Sequence, residues 1–136
     1  MRKTYSLEEL KSRLERYCAY QERCHQEVKY KLQQLGAYRD TSDAVIYHLI
    51  QHDYLNETRF TMVYVRGKFS IKKWGKKRIV NELKLKKITT YNIDKGLNQI
   101  SKKDYQRTFD KLAQKHWKDL KKKKESIEKR KKKWIQ

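Results

Sequence analysis

Residues 56–69 read NETRFTMVYVRGKF, an unusually apolar helix for so charged a chain. The Asn56 side-chain oxygen can cap a helix start, after which Phe60, Met62, Val63, Tyr64 and Val65 spread apolar groups around most of the circumference. Arg59 and Arg66 ride on the same helix. A helix apolar on most faces is buried on most faces, so a segment from about 57 to 67 must be enclosed by the chain on both sides of it.

The N-terminal side is helical by pattern. Ser6-Leu-Glu-Glu9 has the capping-box form and predicts a first helix from Leu7 to about Gln21, with Leu7, Leu10, Leu14, Tyr17 and Cys18 on one face. A second helix is expected over His25 to Leu35, with Val28, Leu32 and Leu35 inward and Gly36 placed to end it. Thr41, Ser42 and Asp43 offer caps for a third, which carries Val45, Ile46, Leu49 and Ile50.

The C-terminal side repeats the N-terminal one. A shift of 51 residues places Val28 on Ile79, Leu32 on Leu83, Asp43 on Asp94, Ile46 on Leu97, Leu49 on Ile100 and Tyr54 on Tyr105. The matches fall at helical spacing on core-facing positions, which makes a duplicated three-helix unit the better account. The pattern divides the chain into an N-terminal helix (1–24), a first three-helix repeat (25–69), a second (70–124) and the start of an incomplete third (125–136). In this last segment Ile127, Trp134 and Ile135 return after a lysine run. The expected fold is all-α, with tandem three-helix repeats in a curved, elongated array, and residues 57–67 are the seam between its units.

Composition agrees. The 136 residues contain no proline and four glycines, with 37% hydrophobic and 38% charged residues, a balance suited to thin helical layers that share buried faces. The net charge of +20 is uneven: +3 over residues 1–68, +7 over 69–101 and +10 over 102–136. Such a field attracts polyanions, whether nucleic acid, an anionic membrane surface or an acidic protein face. Cys18 and Cys24 are too few and too close to frame a disulfide-rich secreted domain. With no apolar run that suits a signal peptide or a membrane span, the expectation is a cytoplasmic chain that keeps its thiols reduced and does not enter the membrane.

Taken together, NETRFTMVYVRGKF and the later WGKKRIVNELKLKKI (residues 74–88) resemble the RecX family, regulators of the bacterial recombinase RecA. The likeness lies in an acidic-then-Arg-Phe helix start, a Tyr-Val-Arg, a Gly before basic residues, then Arg-Ile, Glu-Leu and Lys-x-Ile. Counting RCHQEVKYKLQQLG (residues 23–36) before it, the resemblance covers nearly the whole chain. It implies tandem three-helix repeats and a non-enzymatic role: binding the RecA filament on single-stranded DNA and suppressing its ATPase, strand exchange and coprotease activities. Where the family has Lys-Gly-Ile after the second unit's first helix, this chain has Lys86-Lys87-Ile88, so that helix lacks its glycine stop.

The seam residues Glu57, Arg59, Phe60 and Tyr64 are expected to fix geometry, with Glu57 at a helix N-terminus and Arg59 paired with acids such as Asp53. The candidate partner and DNA surface comprises Arg66, Lys68, Lys72, Lys73, Trp74, Lys76, Lys77, Arg78 and Lys84. A basic loop with an exposed aromatic suits phosphate contact plus base stacking; a solvated linker with Trp74 tucked into the core is the other reading. Lys111, Lys115 and Lys118 extend the basic face along a long amphipathic helix whose inner side carries Tyr105, Phe109, Leu112, His116 and Leu120. Contact with single-stranded DNA is expected to be non-specific and salt-dependent, and the protein to act as a monomer without cofactor. A stand-alone helix-turn-helix module that binds nucleic acid is the alternative.

No catalytic constellation is present: there is no Gly-rich phosphate loop and no HExxH, and Cys18, Cys24 and His25 lack a second pair at zinc spacing. His48 and His52 stand four apart and could share a metal, but satisfied or solvent-facing histidines are much commoner. Neither an enzyme nor a metal protein is expected.

Overall fold

The computed structural model describes residues 4–135, with side chains through 132. Among these residues the chain forms seven α-helices and no strand: α1 (Leu7–Tyr20), α2 (His25–Gln34), α3 (Arg39–Gln51), α4 (Glu57–Ser70), α5 (Lys76–Leu85), α6 (Thr90–Leu97) and α7 (Lys102–Ile135). The fold is all-α, as the periodicity implies.

Local chemistry sets most of the boundaries. The Ser6 hydroxyl accepts from the Glu9 N–H at 3.1 Å while the Glu9 carboxylate accepts from the Ser6 N–H at 3.3 Å, so α1 opens on a reciprocal capping box. The Asn56 side chain accepts from the Arg59 N–H at 3.0 Å and opens α4. α3 departs from expectation: it starts at Arg39 with Tyr38 as cap, ahead of Thr41, Ser42 and Asp43, and Tyr38 contributes no side-chain hydrogen bond. α2 ends at a left-handed Gly36 (φ 77°), with the Ala37 N–H returning to the Leu32 carbonyl. Lys87, 51 residues on, takes the same left-handed conformation (φ 60°), and the Ile88 N–H returns to the Leu83 carbonyl. The helix stop is therefore kept without glycine.

Residues Met1–Gln99 form one compact unit and Ile100–Gln136 another. Within the first, α1, α2 and α3 pack on one another, and α4 packs on α5 and α6. The helices thus group one element earlier than repeats at 25–69 and 70–124 would have it, so that α4 opens the second trio instead of closing the first. The reason lies in the buried stripes. Leu10, Leu14 and Cys18 of α1 meet Thr61, Val65 and Phe69 of α4 under the same 51-residue shift, and all six are buried. The first core joins the α1 stripe to Val28, Leu32, Val45, Leu49 and Leu55. The buried set of the second trio is Phe60, Thr61, Val65, Phe69, Ile79, Leu83, Ile88, Ile93 and Gly96. Each large apolar side chain so buried contributes roughly 1.5–3 kcal/mol.

α4 is also less enclosed than its composition suggests. Val63 is 46% exposed, whereas Thr61 is fully buried, its hydroxyl donating to the Glu57 carbonyl at 2.7 Å. In the second unit, α7 runs through the 124/125 boundary without a break, because the lysine run and ESIEKRKKK hold good helix formers and no turn residue. A new repeat at 125 is not seen; the side chains of Trp134 and Ile135 lie outside the described residues.

Candidate functional site

The four seam residues come together at the base of α4. Arg59 spans two chain segments: its Nε donates to Glu22 Oε1 at 2.6 Å, Nη1 to Asp53 Oδ2 at 2.9 Å, and Nη2 to the Asp53 carbonyl at 2.9 Å. Glu57 Oε1 accepts from the His25 N–H, at the start of α2, at 3.3 Å. The two side chains tie the α1–α2 and α3–α4 connections to α4. The Glu22 hydrogen bond also raises the pKa of the Arg59 guanidinium, which keeps its charge at any working pH. Phe60 is buried and its ring stands 5.6 Å from that of Tyr64. Burial pushes the Tyr64 phenol upward.

From Tyr64 the site continues to the junction of α4 and α5. Lys68 Nζ lies 5.3 Å from the Tyr64 ring centroid and 4.7 Å from that of Trp74, and the Arg78 guanidinium carbon stands 4.0 Å over Trp74. Trp74 is half-buried and held beneath two cations, between the exposed and the core position that the sequence leaves open. Its ring orients Arg78, whose guanidinium plane becomes the surface on which a base can stack. Gly75 caps α5, and Lys73 takes a left-handed turn conformation (φ 58°) just ahead of it. Lys72, Lys73 and Lys77 are exposed around this turn and Lys76 is half-buried beside them.

Arg66 points elsewhere. Its Nη2 donates to Gln99 Oε1 at 3.0 Å, and the Gln99 amide donates in turn to the Met62 and Gly96 carbonyls at 3.0 Å each. Gln99 is a partner that sequence reasoning missed, since nothing in its local pattern marks it. Lys84 is exposed on α5, while Lys111, Lys115 and Lys118 are exposed on α7 in the second compact unit. The structure therefore brings Lys68, Trp74 and Arg78 into one cluster with the lysines of the turn, and keeps Arg66 bound to Gln99.

Burial pushes the Cys18 and Cys24 thiols up to about 11, which holds them protonated and unreactive at neutral pH. His48 Nε2 and Glu15 Oε1 share a hydrogen bond of 2.9 Å, and the His48 and His52 rings stand 4.5 Å apart. No three of His, Cys, Asp and Glu cluster as metal ligands among the described residues, and no described helix is long and apolar enough to cross a membrane.

A family model described as RecX, second three-helix domain, matches residues 56–97, the span of α4, α5 and α6. The fold is similar to a crystal structure of regulatory protein RecX, with a TM-score of 0.77 at 22% identity over 85% of this chain. It is similar also to a crystal structure of RecX from Lactobacillus salivarius, with a TM-score of 0.74 at 27% identity over 80% of this chain and 71% of that one. The chain spans 58% of the length of the first of these. No curated protein matches the sequence.

Proposed function

We propose, from the match of residues 56–97 to the second three-helix domain of RecX, that the chain is a RecX-type regulator that binds a RecA-type recombinase filament on single-stranded DNA and lowers the filament's ATPase, strand-exchange and coprotease activities. The observation that carries this reading is the cationic cluster at the α4–α5 junction. Lys68 and Arg78 are held over Trp74, and Lys72, Lys73 and Lys77 surround them on one exposed turn. A preorganised cation above an aromatic ring offers a directed contact to phosphate or carboxylate, and the loose lysines around it supply long-range attraction. Such a surface suits a partner that presents acidic protein and nucleic-acid backbone together.

The test is the ATPase of a bacterial recombinase on single-stranded DNA, with and without this chain. Suppression at substoichiometric dose supports filament regulation. If the chain slows the ATPase only at doses that coat the free DNA, it is acting as a plain nucleic-acid-binding module instead.

A further inference from the structure

The first trio carries a second cationic site, away from the α4–α5 junction. Arg13, Arg16, Tyr17 and Tyr20 of α1, Arg23 of the α1–α2 connection, and Lys31 with Leu35 of α2 line an open cleft of about 450 Å³. Arg23 is held in place by two contacts: its Nε donates to the Tyr17 carbonyl at 3.0 Å, and its guanidinium carbon stands 3.8 Å over the Tyr17 ring. Lys31 Nζ lies 5.6 Å from the same ring. Tyr20, at the end of α1, is 84% exposed.

The cleft has no acidic lining, and none of its four cations forms an ion pair among the described residues. The carboxylates of the same segment are engaged elsewhere: Glu15 with His48, Glu22 with Arg59, and Glu27 with the Cys24 N–H. This is not a by-product of the overall charge, since residues 1–68 carry only +3. Four cations around one opening with no carboxylate among the lining residues make a local positive potential that favours an anionic ligand. The exposed Tyr20 ring and the stacked Arg23 plane add flat surfaces at the rim of the same cleft. Anionic charge beside a planar ring is the chemistry of a nucleotide.

We infer that the α1–α2 cleft binds a nucleotide segment of single-stranded nucleic acid, with Arg16, Arg23 and Lys31 on the phosphates and a base stacked on Tyr20. The inference rests on the single-stranded nucleic-acid part of the function proposed above and is independent of the recombinase. It gives the chain two separated contacts to one strand, one in each trio.

The test uses the full chain and a fluorescein-labelled oligothymidylate, followed by anisotropy across a salt series without recombinase. Arg16→Gln combined with Lys31→Gln is expected to weaken binding about tenfold at low salt. It should also flatten the log–log salt slope by about 1.4, at roughly 0.7 per phosphate on a single strand. Tyr20→Ala, at a position too exposed to matter for folding, is expected to weaken binding about fivefold or more with the slope unchanged. Thymidine monophosphate should displace the probe at lower concentration than inorganic phosphate at matched ionic strength. Wild-type affinity and slope in both variants would overturn the assignment. So would equal competition by inorganic phosphate, which indicates a bare anion site, or by polyglutamate, which indicates an acidic-peptide site. A chain that passes these tests yet leaves the recombinase ATPase untouched contradicts the regulatory reading alone; one that inhibits the recombinase but fails them contradicts the cleft alone.

Discussion

Arg59 Nε lies 2.6 Å from Glu22 Oε1, a contact that crosses from α4 in the second trio to the α1–α2 connection in the first. Glu22 Oε2, the other oxygen, is buried with no hydrogen-bond partner among the described residues, so Arg59 carries most of the compensation for burying that carboxylate. Arg59→Ala is expected to destabilise the chain by about 1–3 kcal/mol, the range for a charged hydrogen bond whose partner is left behind, with the lower end favoured by partial exposure. Urea unfolding reads the loss. Glu22→Gln should cost less, because it removes the charge that Arg59 neutralises while keeping an acceptor.

Gly96 presses on the α4 stripe. A Cβ built there would stand 2.9 Å from Val65 Cγ2 and 3.1 Å from Thr61 Cγ2, and both neighbours are fully buried with little room to move. Gly96→Ala should therefore lower the thermal midpoint despite its better helix propensity, since overpacking costs typically about 1–3 kcal/mol against a propensity gain of about 1. A midpoint at or above wild type would show that α6 can shift outward freely.

Lys87 gives the opposite expectation. It holds the left-handed conformation that Gly36 holds at the equivalent position, at a cost of roughly 1–2 kcal/mol for a residue with a Cβ. The looser unfolded chain of a glycine variant offsets about half of this. Lys87→Gly is expected to raise stability modestly, while Gly36→Ala should lower it, both read by thermal unfolding monitored by circular dichroism.

The two cysteines predict a pH dependence. Burial raises both thiols from 9.0 to about 11; above pH 9 the unfolded chain therefore sheds thiol protons that the folded chain retains. The folded state then binds more protons, so stability falls as pH rises from about 9 to about 11. Their contribution is fully present below pH 9. Replacing both with Ala should remove this alkaline loss, and in the native protein at pH 8 both thiols should react with a disulfide reagent far more slowly than in urea.

Much of this architecture is legible in the sequence, and its gaps have physical causes. Val28 with Ile79 and Leu32 with Leu83 announce the duplication because like replaces like. The α1–α4 equivalence is harder to see, since it pairs Leu10 with Thr61 and Cys18 with Phe69. Thr61 is a core residue only because its hydroxyl is satisfied by the Glu57 carbonyl one turn back. That single disguise moves the expected repeat boundary by a whole helix. At the candidate site, Lys68, Trp74 and Arg78 are recognisable as basic and aromatic, but their stacking order depends on the turn at Lys73 and Gly75. The α1–α2 cleft did leave a signal: Arg13, Arg16, Tyr17 and Tyr20 follow helical spacing along one face of α1, with Arg23 just beyond its end.

Charge reversal at Lys73, Lys76 and Lys77 probes whether the α4–α5 surface meets the filament. Reversing these three to Glu should leave helical content intact, because acids suit the first turn of α5 and its approach. The measurement is the recombinase ATPase on single-stranded DNA, titrated with the triple variant and with wild type at several salt concentrations. The variant should be folded, with inhibition weakened at least tenfold, since like charges across an interface cost affinity and slow encounter. A triple variant that folds normally and inhibits at wild-type potency across the salt range would contradict this contact.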